Sequence, residues 1–222
     1  MELSKLQLSA EESAMVKDSH WLLTKNSIIQ KAYMLFGEIA AVLQERLQNS
    51  SVMPAVLHHS PPKIARGENY HGLPYVMLDY PRLFDKEETF AFRTMFWWGN
   101  FISVTWHLKG SHALTNRRNI INNFDLLAAS GFQVCISEDE WRHDFEPDNY
   151  KSLKEIGVAE LPAILDRLPF TKLAAKIPLD EWNTAKEKVT ELYFLLLAVA
   201  ALSFRDGETD PSPGSPKAGF DL

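Results

Sequence analysis

The feature that most constrains the fold is an aromatic hairpin between Phe90 and Leu108, with Gly99-Asn100 between its two halves. A two-residue turn with glycine first is typical of a type II′ β-turn, in which the first central residue needs a positive φ. This turn predicts that Trp98 faces Phe101, and it fixes the register of every later pair. The residues that would then share one face are Phe92, Thr94, Phe96, Trp98, Phe101, Ser103, Thr105 and His107.

The opposite face of the hairpin is the more uniformly apolar one, and we expect it to pack against helices. Its members would be Ala91, Arg93, Met95, Trp97, Ile102, Val104, Trp106 and Leu108. Arg93 breaks the pattern, because a lone guanidinium among apolar side chains must be compensated. Three arrangements would compensate it: an ion pair with a carboxylate, stacking on Trp106, or a position at the margin of the sheet where the guanidinium reaches solvent.

A further strand is predicted just before the hairpin, from Leu73 to Tyr80, where β-forming residues are concentrated. Tyr75, Met77 and Asp79 would lie on one side of this strand. Upstream, Gly67 and Gly72 bracket a short segment that suits a tight connection between two strands, since glycine adopts the positive φ that short turns need.

Two helices are predicted before the strands. Ser9 and Glu12 form a capping box that starts a helix near Ala10, which should run to about Leu23. Apolar residues at helical spacing predict a second helix that begins at Thr24 or Asn26. The sequence leaves open whether the two helices are continuous.

The second half of the chain is predicted to alternate between helices and short strands. We expect a central helix that ends at Ser130-Gly131 and a long apolar helix from Pro178 to about Phe204. The remaining predictions are a strand at Phe132–Ser137, helices at Tyr150–Ile156 and Val158–Leu168, and a strand or connector at Phe170–Ile177.

These elements predict an α+β fold with an antiparallel sheet of about four to five strands built around the aromatic hairpin. The N-terminal helices, the central helix and the C-terminal apolar helix would pack on the sheet. We expect a single domain over residues 1–205 and a disordered tail over residues 206–222, where Gly, Pro and Ser dominate.

Composition narrows the classes of partner. A net charge of −6 over 222 residues argues against nucleic acid, because phosphate binding needs clustered basic residues. The longest apolar run, Leu192 to Phe204, is shorter than the roughly 20 residues that cross a bilayer, so no membrane partner is expected. Cys135, the single cysteine, lies in an apolar run that predicts a buried thiol, and with no apolar signal region at the N-terminus we expect a cytoplasmic protein.

The common catalytic motifs are absent from the sequence: it has no glycine-rich phosphate loop, no metalloprotease helix motif and no nucleophile elbow. A metal site made of His107 and His112 with Asp79 or His71 is conceivable, but nothing in the spacing makes these residues converge. We therefore predict no metal and no cofactor. The acidic run at 138–140 is interpreted as a solvated surface.

The hairpin region, residues 73–108, is the predicted binding site for a small molecule or a partner protein, because aromatic walls with a few polar groups are typical of pockets. The predicted ligand-binding residues are Tyr75, Asp79, Arg93, Ser103, Thr105 and His107. The alternative is an enzyme in which Asp79 or His107 carries a proton and Arg93 anchors an anion, although the predicted register puts Arg93 and His107 on opposite faces. The aromatic tip at 96–101 could instead be a contact surface between copies of the chain, or the rings could form a second core layer.

Overall fold

The computed structural model describes residues 6–49 and 60–206. Residues 1–5, 50–59 and 207–222 lie outside the described residues, and with them all but the first residue of the predicted tail at 206–222. The strands are β1 (Lys63–Tyr70), β2 (Leu73–Phe84), β3 (Thr89–Trp97), β4 (Phe101–Lys109), β5 (Gln133–Cys135), β6 (Tyr150–Ser152) and β7 (Phe170–Pro178). They form one antiparallel sheet in the order β1-β2-β3-β4-β7-β5-β6.

The α+β class is confirmed, but the predicted count of four to five strands is too low, because the described residues form seven. β6 is only three residues long, which is too short for an alternation pattern to register, and β1 runs through Gly67 to Tyr70, where a tight connection was predicted. The segment Tyr150–Ile156, predicted as a helix, begins with β6 instead.

The helices are α1 (Ala10–Lys17), α2 (Ser19–Gln48), α3 (Ser111–Asn122), α4 (Phe124–Ala129), α5 (Leu161–Arg167) and α6 (Ala185–Asp206), with a 3₁₀-helix at Leu179–Thr184. The predicted capping box of α1 is present. The break between the first two helices falls earlier than expected, because the Asp18 side chain accepts the main-chain N–H of Trp21 and caps α2.

The predicted register of the hairpin is wrong by one residue. Trp97 pairs with Phe101, so three residues connect the strands instead of two. Gly99 does adopt a positive φ of 72°, but as the third residue of a turn closed by a hydrogen bond from the Asn100 N–H to the Trp97 carbonyl. A glycine with positive φ fits the second position of one turn type and the third position of another. That ambiguity shifts every cross-strand pair.

One face of the sheet packs against helices and forms the main core. In the hairpin this face carries Phe90, Phe92, Thr94, Phe96, Ile102, Val104, Trp106 and Leu108. Tyr193 of α6 stacks on Phe92 with ring centroids 5.1 Å apart, and its hydroxyl lies 2.6 Å from the Thr94 hydroxyl. The four β4 residues were predicted to lie on this helix-covered face. The four β3 residues were predicted to lie on the opposite face.

Candidate functional site

The corrected register brings all six predicted ligand-binding residues to the sheet face that points away from the helices. They are Tyr75, Asp79, Arg93, Ser103, Thr105 and His107. Cross-strand partners share a face, and Asp79, Arg93 and Thr105 form a row across β2, β3 and β4. The expectation that Arg93 and His107 lie on opposite faces is therefore wrong.

A 14-residue segment lies over this face, and we call it the crossing loop (residues 136–149, between β5 and β6). The main-chain N–H of Ile136 donates to the carbonyl of Asn149 at 2.8 Å, so the ends of the loop meet. Compact loops of this length with joined ends are frequently functional. Glu138 and Asp139 of the acidic run are exposed, as predicted, whereas Glu140 is partly buried and lies against His107.

Side chains from two separate strands of the sheet, β1 and β7, hold the crossing loop. On one side, the Tyr70 hydroxyl of β1 accepts the main-chain N–H groups of His143 at 2.6 Å and Asp144 at 3.1 Å. On the other side, the Lys172 ammonium of β7 donates to the carbonyls of Glu140 at 2.8 Å and Arg142 at 2.6 Å. The middle of the loop, residues 140–144, is thus held through its main chain by side chains of β1 and β7.

Asp79 and Arg93 form a two-pronged ion pair beneath the crossing loop. Arg93 Nε lies 2.6 Å from Asp79 Oδ1, and Nη2 lies 2.9 Å from Oδ2. The two side chains are only 11% and 12% exposed. The Phe84 ring lies 5.5 Å from the guanidinium carbon, and His143 Nε2 lies 3.3 Å from Nη1. Of the three arrangements left open for Arg93, the structure has the carboxylate partner.

His107 is buried beside this pair, with its Nε2 atom 3.3 Å from Glu140 Oε2. Burial lowers the pKa of His107 to about 3, and the nearby charges of Lys172, Arg93 and Lys109 act in the same direction. At neutral pH the imidazole is therefore uncharged, so its Nε2–H donates to the Glu140 carboxylate as a neutral group. Burial also holds the pKa of His143 well below its usual range.

Lys172 is the residue that the sequence analysis missed. Its side chain is among the most deeply buried in the protein, and burial lowers its pKa to about 8. Its hydrogen bonds go to two neutral carbonyls, so the ammonium gains less compensation than Arg93 does from Asp79. The sequence does show a lysine within the apolar stretch 170–178. It would have indicated a buried charge only if that stretch had been assigned to a strand, and the sequence left it as a strand or a connector.

The other candidates from the sequence are dispersed. Phe96 and Trp97 at the hairpin tip are 4% and 8% exposed. His112 packs against Phe90 on the helix-covered face, away from His107. Within residues 6–49 and 60–206, no group of three His, Cys, Asp or Glu side chains is placed to hold a metal ion. Cys135 is buried as predicted, and burial raises the pKa of its thiol.

In the described part of the chain, no helix combines the length and apolarity that crossing a bilayer requires. Comparison of the chain with protein-family models, with curated proteins and with solved structures finds no match. The functional argument therefore depends on the geometry of the site.

Replacing Tyr70 with Phe should loosen the crossing loop. The hydroxyl is the acceptor for two main-chain N–H groups, and its loss leaves both unpaired at a cost of about 1–3 kcal/mol in the free energy of unfolding. We expect amide hydrogen exchange at residues 137–149 to become at least about tenfold faster. Tyr75→Phe, on the same sheet face, is the control and should leave the loop amides unchanged. Equal exchange rates in wild type and Tyr70→Phe would show that the hydroxyl does not hold the loop.

Proposed function

We propose that the protein binds a small anionic molecule, a carboxylate or phosphate compound, on the sheet face beneath the crossing loop. The observation that carries this proposal is the gathering of five titratable side chains between the sheet face and the crossing loop. Asp79, Arg93, His107 and Lys172 lie on the sheet face, and His143 of the crossing loop contacts Arg93. In this proposal the crossing loop is the lid, and Arg93 and Lys172 are the anchors for the anion.

The energetics of burial support a binding role. Moving a charged group from water into a protein interior costs several kcal/mol unless the group is well paired. Apolar residues would fill the same space at a lower cost in the free energy of folding. Clusters of buried groups with shifted pKa values are typical of functional sites. Lys172 forms its hydrogen bonds with neutral carbonyls, while the carboxylates of Asp139 and Glu140 favour its charged form without a direct hydrogen bond. An anion next to it would supply a direct charged partner.

The binding test uses thermal unfolding of the full chain with succinate, inorganic phosphate and the neutral analogue succinamide at matched ionic strength. We expect the anion that fits to raise the melting temperature, and succinamide to have no effect. Because burial lowers the pKa of Lys172 to about 8, the ammonium form that attracts an anion is lost above that pH. The stabilisation should therefore decline as the pH rises from 7 to 9.

Lys172→Met is the matching variant, and Lys186→Met on the surface of α6 is its control. Phosphate stabilises many proteins by exclusion from their surface, so the meaningful quantity is the difference between the two variants. We expect the anion-dependent shift to disappear in Lys172→Met and to persist in Lys186→Met. Equal shifts in both variants, or no shift with any anion, would contradict the proposal.

An enzyme that uses the same face is the second candidate, and the corrected register favours it. Arg93 and His107 now share the face with Asp79, so an anion anchor and two groups that can carry a proton lie together. In this proposal His107, oriented by Glu140, is the proton carrier, since its Nε2 lies 3.3 Å from that carboxylate. Turnover of a bound anion by wild type that is lost in His107→Gln, while binding persists, would favour the enzyme.

A further inference from the structure

The N-terminal part of the protein extends beyond the sheet as an exposed apolar arm, which we define as residues 6–28. The first fully buried residue of α2 is Ile29, so ten residues of the helix, roughly 15 Å, precede its packed part. The Lys25 ammonium donates to the Glu68 carboxylate at 2.7 Å, which ties the arm to β1 at the edge of the sheet. None of the eight residues of α1 is buried.

The apolar face of α2 continues into the arm although nothing in the described residues covers it there. Trp21 and Leu22 lie seven residues before Ile28 and Ile29, which places each pair on the same side of a helix. They are nevertheless 46% and 51% exposed. Large apolar side chains that repeat the spacing of a core stripe without a core are typical of an interaction surface.

The size of the exposed surface fits a protein partner. The apolar side chains of the arm that are 46–86% exposed are Leu6, Leu8, Met15, Val16, Trp21, Leu22 and Leu23. Together they present on the order of 800 Å², which is about what one partner contributes to a standard-size interface.

We infer that the arm pairs antiparallel with the arm of a second copy of this chain. A two-fold interface uses the same surface twice, so its charges must complement themselves when one copy is reversed. The acidic residues Glu11 and Glu12 lie at one end of the arm, whereas Lys25, which already pairs with Glu68, lies near the other end and Lys31 lies just beyond it. Antiparallel pairing places the acidic end of each copy beside the basic positions of its partner. This inference is independent of the site beneath the crossing loop.

The test measures the mass of the full chain in solution by light scattering over a wide range of concentrations. We expect a dimer of twice 25.3 kDa that dissociates on dilution. Leu22→Glu should weaken the dimer at least tenfold, whereas Leu114→Glu, at a leucine of α3 that is 76% exposed, should not. A monomer at every concentration, or a dimer that Leu22→Glu leaves intact, would overturn the inference.

A second measurement on the unaltered protein guards against a variant that fails to fold. Amide hydrogen exchange should slow at residues 19–28 as the concentration rises, while α3 amides stay unchanged. A concentration-dependent dimer with no protection at 19–28 would place the interface elsewhere and overturn the inference. Capture of the arm by another partner, or by residues 207–222, would appear as a monomer whose 19–28 amides are protected at every concentration.

Discussion

Replacing Asp79 with Asn is expected to lower the free energy of unfolding by about 3–5 kcal/mol, because it leaves the Arg93 guanidinium buried without its counter-charge. Both Arg93–Asp79 hydrogen bonds are short, at 2.6 and 2.9 Å, and the side chains are about nine-tenths buried. The neighbouring groups cannot replace the carboxylate, since Phe84 offers only a ring face and His143 is a neutral imidazole. Urea unfolding at pH 7 measures the effect.

A second Arg–Asp pair in the protein supplies the control. Arg117 and Asp166 form the same two-pronged contact at 2.8 and 2.7 Å, but their side chains are 33% and 64% exposed. Asp166→Asn should therefore cost less than about 1 kcal/mol. The double variant Asp79→Leu with Arg93→Met should recover much of the loss, because it removes both charges together. Equal losses for Asp79→Asn and Asp166→Asn would show that burial of the pair has no special energetic weight.

The sequence predicts elements of this protein well where the pattern is local. The capping box of Ser9 and Glu12 specifies the start of α1 through contacts only three residues apart, and it is present in the structure. The apolar period of α2 and the β-character of the hairpin are local in the same sense. The class of the fold follows from such patterns.

The sequence does not predict features that depend on one residue of register. The positive φ of Gly99 is compatible with two turn types. The wrong choice between them placed Arg93 and His107 on opposite faces of the sheet. Burial energetics could not decide between the two registers, because both sheet faces of this hairpin are covered. In a hairpin with one face exposed to solvent, alternation of polar and apolar residues would have determined the cross-strand register.

The candidate site was predicted in part, since the six expected residues share a face while the groups from distant segments were missed. Lys172 reaches the site across the sheet, 30–32 residues beyond the carbonyls it contacts. His143 comes from a stretch whose acidic residues indicate solvent exposure. Its burial follows from the main-chain anchors of the crossing loop, which no side-chain pattern reveals.

The second large effect is an acid-dependent loss of stability that originates at His107. The unfolded chain binds a proton at this residue near pH 6.5, whereas in the folded protein the pKa is about 3. Between these values the unfolded state binds more protons, so stability falls as the pH falls. From pH 7 to 5 the loss from His107 should reach about 2 kcal/mol. Lys172 of β7, Arg93 of β3 and Lys109 of β4 oppose protonation, whereas the Glu140 carboxylate of the crossing loop favours it.

His107→Gln isolates this contribution, because glutamine keeps an N–H donor for Glu140 but cannot take up a proton. Urea unfolding at pH 7 and pH 5 should show a smaller acid loss in His107→Gln than in wild type, by about 2 kcal/mol. His20→Gln, at an exposed histidine of α2, should retain the wild-type loss. The same acid loss in His107→Gln and wild type would mean that the imidazole is not held neutral beneath the crossing loop. It could then not be the neutral donor to Glu140 that the proposed enzyme uses as its proton carrier.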